Sequence, residues 1–214
     1  MRSTHATMRE MNQPPATYDD LLAAPDGVRA ELIDGELFLQ AAPSTLHQRI
    51  ALKLAVDLGH RFDGPSSDAP TRPGGWALIA GPELWLGAPL PQSLVLCPDL
   101  AGWREARFPV EHADHGIQVV PDWVCEILSP STQRFDRLRK ADAYARAAVS
   151  WMWLIDPDAG MVEVYAQNDG LWTRVRAAET GERATLPPFG VELDVGAWWP
   201  GLVAKADGGA DRAP

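Results

Sequence analysis

Residues 121–144, PDWVCEILSPSTQRFDRLRKADAY, place a carboxylate inside an otherwise apolar strand. Trp123, Val124, Cys125, Ile127 and Leu128 are apolar at both parities, the pattern of a strand covered on both faces, and Glu126 stands among them. A charge there is costly unless it is paired, protonated, opened onto a cleft or bound to a metal, so Glu126 is a site candidate. The next segment has helical character and carries Arg134, Arg137, Arg139, Lys140 and Arg146 against Asp136 and Asp142. Trp151 to Ile155 then reads as a second strand. Strand, helix and strand from Trp123 to Ile155 form a crossover unit, expected to be right-handed with its strands parallel.

Outward from this unit the signals are local. Thr17 is a candidate N-cap for a short helix to Ala24, with Asp19 and Asp20 in the first turn where the helix dipole favours them. Asp34-Gly35, between AELI and ELFLQ, is a strong two-residue hairpin signal. After Pro43, Thr45 and Gln48 make a candidate capping box, and Leu46, Ile50, Leu54 and Leu58 recur at helical spacing to about Arg61. Residues 63–75 read as a long loop, followed by strands near 76–79, 83–86, 93–97 and 100–103. Past Ile155, turns at 156–160 and 168–170 join strands at 162–165 and 172–176. The expected fold class is α/β: a mixed, twisted sheet flanked by helices, with a C-terminal antiparallel meander.

Composition narrows the class. A chain of 214 residues with 46% hydrophobic residues is long enough for a real core. One domain over residues 16–201 is expected, with flexible tails at 1–15 and 202–214. The net charge of -10 argues against a nonspecific nucleic-acid coat but allows a local basic groove. Cys97 and Cys125 lie in apolar runs, as free thiols in a reducing compartment would. No signal peptide or membrane-length apolar run is present, so a cytoplasmic protein is expected. Trp151 and Trp153 read as core or subunit contact, and a homodimer is common enough to expect.

The segments AELIDGEL (30–37), STLHQRIALKL (44–54), LVLCPDLAGW (94–103), PDWVCEILSPST (121–132), RFDRLRKADAYARAAV (134–149) and WMWLIDPDAGMVEVY (151–165) resemble, in that order, the Uma-two family of restriction endonucleases. That family belongs to the restriction-endonuclease-like superfamily with the PD-(D/E)XK signature. The resemblance covers roughly Thr17 to Tyr165. It implies a core mixed sheet with helices on both sides and a metal-dependent phosphodiesterase site acting on DNA.

On the same resemblance Asp99, after Pro98, is the metal-binding aspartate and Glu126 the acidic residue of the next strand. The superfamily lysine two positions on is replaced by Leu128, and Lys140 is where this family carries a lysine. Glu31 and His47 match a further glutamate and a histidine. The implied catalytic set is Asp99, Glu126, Lys140 and Glu31, with Asp99, Glu126 and Glu31 holding Mg²⁺ or Mn²⁺. Phosphodiester hydrolysis asks for such a set: carboxylates for a hard divalent ion, and an ammonium for the developing negative charge.

Competing readings accompany each residue. Glu126 could be a structural ion pair with Arg137 or Lys140, and Lys140 a solvated helix residue. Glu31 could be an edge-strand charge, and His47 a packing or capping residue. Asp122 reads as structural, and His112, Asp114 and His115 lack a supporting ligand pattern. The basic helix is a candidate docking site for a phosphate backbone; intrahelical pairs of Asp136 with Lys140 and Asp142 with Arg146 are the alternative. At the level of function, the alternative to an endonuclease is a nuclease-fold module that has lost catalysis and acts in nucleic-acid binding or protein interaction.

Overall fold

A computed structural model of the chain describes residues 14–87, 94–108 and 116–200. The expected C-terminal tail, the N-terminal tail up to residue 13, and the His112, Asp114 and His115 group lie outside these residues. Helix α1 (Tyr18–Leu22) has the expected cap: Thr17 and Asp20 form a reciprocal capping box. Strands β1 (Val28–Ile33) and β2 (Glu36–Ala41) pair through the Asp34-Gly35 turn, whose φ angles of 54° and 78° are those of a two-residue hairpin turn with both central residues left-handed. Helix α2 (Thr45–Phe62) is capped one residue earlier than expected, because the Ser44 hydroxyl accepts the His47 backbone N–H at 3.2 Å.

The remaining strands are β3 (Trp76–Ala80), β4 (Leu84–Trp85), β5 (Leu94–Leu96), β6 (Leu100–Arg104), β7 (Trp123–Ile127), β8 (Trp151–Asp156), β9 (Met161–Asn168), β10 (Leu171–Glu179), β11 (Arg183–Thr185) and β12 (Glu192–Asp194). A four-stranded sheet has the order β2-β1-β5-β4 and a six-stranded one β10-β9-β8-β7-β6-β3; β11 and β12 form a small ribbon. The β7–β8 pair is parallel, as expected of the crossover, and every other named strand pair among the described residues is antiparallel. The fold class is the expected one, a mixed sheet with flanking helices that ends in the β8-β9-β10 meander. The division of that class into two sheets was not anticipated.

The crossover helix, α3, has three consecutive segments: α-helical Gln133–Phe135, a π-helical stretch Asp136–Lys140 and α-helical Ala141–Arg146. Side-chain alternation along β7 explains the layering. Trp123, Cys125 and Ile127 face α2 together with Trp153, Ile155, Phe189 and Trp198. Val124 and Leu128 face the other way, against α3 and the smaller sheet, through Ala141, Tyr144, Ile33 and Leu96. Glu126 shares this second face. Trp198 is fully buried beside Trp153. Asp122 is structural as expected, accepting the Arg104 backbone N–H and pairing with Arg107. Both cysteines are free. No helix among the described residues is long and apolar enough to cross a membrane.

Gly102, in the middle of β6, leaves no room for a side chain: a Cβ would lie 2.7 Å from Leu78 Cδ2 and 3.2–3.3 Å from the Trp123 and Trp76 rings. Gly102→Ala is expected to cost about 1–3 kcal/mol, as overpacking of a dense core does. Urea denaturation checks this, and unchanged stability would mean that these rings can move apart freely.

Candidate functional site

The chain leaves the smaller sheet at the end of β5 and enters the larger one at the start of β6. Cys97, Pro98 and Asp99 make that crossing, and the site forms around it. On β1, period-two alternation puts Arg29 and Glu31 on one side. Glu31 is fully buried; its Oε1 accepts the Cys97 backbone N–H at 2.8 Å and its Oε2 accepts from Gln40 Nε2 at 2.6 Å. Lys140, 1% exposed, directs its ammonium to Glu126 Oε1 at 2.7 Å, Glu31 Oε1 at 3.0 Å and the Cys97 carbonyl at 3.3 Å. One turn further along α3, the Tyr144 hydroxyl donates to the same Glu126 Oε1 at 2.6 Å.

Asp99 is tied from three sides. Its Oδ2 accepts the Ile127 backbone N–H at 2.8 Å, and its Oδ1 meets Arg29 at 3.1 Å and His47 Nε2 at 2.9 Å. A cavity of about 280 Å³ opens over these groups; its walls include Arg29, His47, Asp99, Glu126, Asp136 and Lys140. Asp99, Glu126 and Lys140 therefore face one cavity. Glu31 joins them through Lys140 but does not line it. His47 both binds its helix cap and turns its ring to Asp99, whereas packing or capping alone was expected.

Burial would push Asp99 upward, but His47, Arg29 and the Ile127 N–H hold it below the usual carboxylate range. Burial raises Glu126 well above that range; Lys140 opposes the shift, while Asp136, Asp99 and Glu31 add to it. Burial alone would depress the Lys140 ammonium, yet Glu126, Glu31 and Asp136 more than offset this and raise it, so it stays charged. Asp136 is raised to about 6, chiefly by burial, with Lys140 opposing.

Arg29, Gln40, Asp136 and Tyr144 were not singled out from sequence as members of this site. Sequence alone presents Asp136 only as a helix charge and a partner for Lys140. A signal was available: Asp136, Lys140 and Tyr144 recur every four residues on one helical face. The basic helix divides differently from either expectation. Arg137 reaches Glu163 on β9 at 2.6 Å, Arg146 reaches Asp34 at 2.8 Å, Arg139 pairs with Glu36, and Lys140 is internal. Four of the five cations thus bridge to other elements, and Arg134 has no polar partner among the described residues. The helix is not one continuous docking face.

The donor set bears on metal binding. Among the described residues no three His, Cys, Asp or Glu side chains are grouped to hold a metal ion. The three-carboxylate set expected at Asp99, Glu126 and Glu31 is not assembled around one point: Glu31 does not line the cavity, and its oxygens are taken up by the Cys97 N–H, Gln40 and Lys140. Asp99 and Glu126, two of the three carboxylates that line the cavity, are of the number and type that Mg²⁺ commonly takes from a protein, the remaining ligands being water and phosphate oxygens. Glu31, Asp99, Glu126 and Asp136 outnumber the Arg29 and Lys140 cations among the groups gathered here.

A family model named Uma2 and described as "Putative restriction endonuclease" matches residues 15–196. The chain belongs to the Uma2 family. A crystal structure from Anabaena variabilis, described as a putative nuclease belonging to DUF820, superposes with a TM-score of 0.61 at 21% identity, covering 86% of this chain and 99% of that one. That likeness shows the fold of this Uma2 protein. No curated protein is significantly similar to it.

Removing Lys140 leaves two buried carboxylates facing each other. Lys140→Met is expected to destabilise the fold by about 3–5 kcal/mol, the usual cost of orphaning a buried charge. Equilibrium denaturation measures it, and a loss below about 1 kcal/mol would show that water replaces the ammonium. For Asp136, the folded pKa of about 6 lies above its ordinary 3.8. Its stabilising contribution is therefore complete below about pH 3.8 and is lost as pH rises through about 6. In metal-free buffer Asp136→Asn should be more stable than wild type at pH 8, by at most about 3 kcal/mol, with the advantage vanishing near pH 4. A difference independent of pH would refute the assigned shift.

Proposed function

We propose that this Uma2 protein is a metal-dependent endonuclease that hydrolyses phosphodiester bonds of DNA. The observation that carries the proposal is the single cavity in which Asp99, Glu126 and the buried Lys140 ammonium meet. Asp99 and Glu126 are the residues that would hold Mg²⁺ or Mn²⁺. When bound, such an ion neutralises the phosphate and makes a coordinated water acidic.

The other roles belong to the chain itself. Arg29 and His47 hold Asp99 ionised and fixed in orientation. Lys140 and Tyr144 hold one oxygen of Glu126, and no hydrogen bond to its Oε2 is made among the described residues. Glu31 anchors the ammonium from the far sheet. That ammonium is preorganised beside the cavity, where it stabilises negative charge developing on the phosphate without having to be desolvated during the reaction.

Incubation with supercoiled plasmid and with single-stranded circular DNA in Mg²⁺ or Mn²⁺ should give nicked or linear products. Glu126→Gln should lower the rate by at least about 100-fold, in line with losing a principal electrostatic contributor. Ion binding should also raise the melting temperature of the wild type by mass action, and less so that of Glu126→Gln. Equal metal stabilisation of the two proteins would count against the assigned ligands. DNA binding without cleavage under any metal would favour the non-catalytic nucleic-acid module.

A further inference from the structure

We propose that the rim of this cavity seats an unpaired nucleobase, so that the substrate class is single-stranded DNA or DNA with unpaired nucleotides at the cleavage point; this rests on the nuclease reading above. The catalytic groups are recessed: Lys140 is 1%, Glu126 2% and Asp99 7% exposed. A single strand can bend one phosphodiester into such a recess, whereas a duplex presents its phosphates on a broad, stiff surface.

The rim has the chemistry of a nucleotide subsite. Ser131 belongs both to the cavity and to an adjoining shallow groove lined by Arg134, Phe135, Leu138 and Arg139. Within that groove Phe135 packs on Phe38 at 4.7 Å between ring centroids, and the Arg139 guanidinium lies 5.5 Å from the Phe38 centroid. Arg139 is about half exposed, at 55%, leaving part of its plane open to solvent. Glu36 offsets its charge, so what Arg139 offers a ligand is chiefly a flat, polarisable surface. Leu138 adds exposed apolar area, and Arg134, one turn before it, supplies a positive charge with no polar partner among the described residues. A flat face, an apolar patch and the Arg134 cation beside a recess of about 280 Å³ match a base and its neighbouring phosphate. Paired bases in a duplex have their faces covered and cannot use such a surface.

The test uses Glu126→Gln in Mg²⁺ buffer, and wild type in EDTA as a second non-cleaving form. The probes are a single-stranded oligonucleotide carrying 2-aminopurine and a blunt duplex of the same sequence. The single strand should bind at least about tenfold more tightly, with 2-aminopurine fluorescence quenched on binding. Adding Arg139→Lys, which keeps the charge and removes the plane, should weaken single-strand binding about fivefold or more and relieve the quenching. Adding Arg134→Ala should lower the salt slope by about one phosphate contact. Both positions are exposed, and unchanged melting temperatures confirm folding. Duplex binding as tight as single-strand binding, or an Arg139→Lys protein that binds and quenches like its parent, overturns the proposal. If wild type cleaves DNA but these results fail, the nuclease reading stands and the subsite falls. If neither DNA is bound or cleaved, both fall.

Discussion

The arrangement depends on one ammonium. Lys140 is buried between Glu31 of the smaller sheet and Glu126 of the larger, with the Cys97 carbonyl of the crossing segment as its third partner. Without it two carboxylates would face each other in an apolar interior, and with it three separate parts of the chain are tied to a common point. Such a buried pair is seldom the most economical route to stability, since apolar residues of similar volume do as well or better. Its presence is better explained by what it keeps in place: a permanent positive charge beside an anionic cavity.

The electrostatics of the cavity follow from the same arrangement. Asp99 is held ionised by three donors, whereas Glu126 and Asp136 are pushed toward their neutral forms by burial. These are opposite environments within one small volume, and environments that separate the pKa values of neighbouring acids characterise functional sites. A divalent cation would reverse the tendency of Glu126 to hold a proton. Metal affinity and carboxylate ionisation are then two sides of one equilibrium.

Much of this is legible in the sequence alone, because the signals are local. The β7–α3–β8 crossover, the Asp34-Gly35 hairpin and the anomaly of Glu126 in an apolar run each rest on a few consecutive residues. Asp99, Lys140 and Glu31 became candidates only through family resemblance, since nothing local distinguishes Lys140 from a solvated lysine. What sequence did not reveal is long-range. Arg29 meets Asp99 seventy residues away, and the partners of Arg137 and Arg146 lie on other elements. For Arg146 the natural local partner is Asp142 within the helix, and for Arg137 it is Glu126 on the preceding strand. Tertiary geometry instead directed each to a different neighbour.

The crossing at Cys97–Asp99 also bears on the order in which the chain is synthesised. The charged residues that face one another across the cavity come from β1, α2, the β5–β6 crossing, β7 and α3, and the last of them to emerge is Lys140. Until α3 is made and docked, Glu31, Asp99 and Glu126 have no common cation to gather around, and the pocket has no fourth wall. A chain ending before residue 140 therefore carries these carboxylates without the ammonium that gathers them. The cavity is thereby completed only when both sheets and the helix between β7 and β8 are in place.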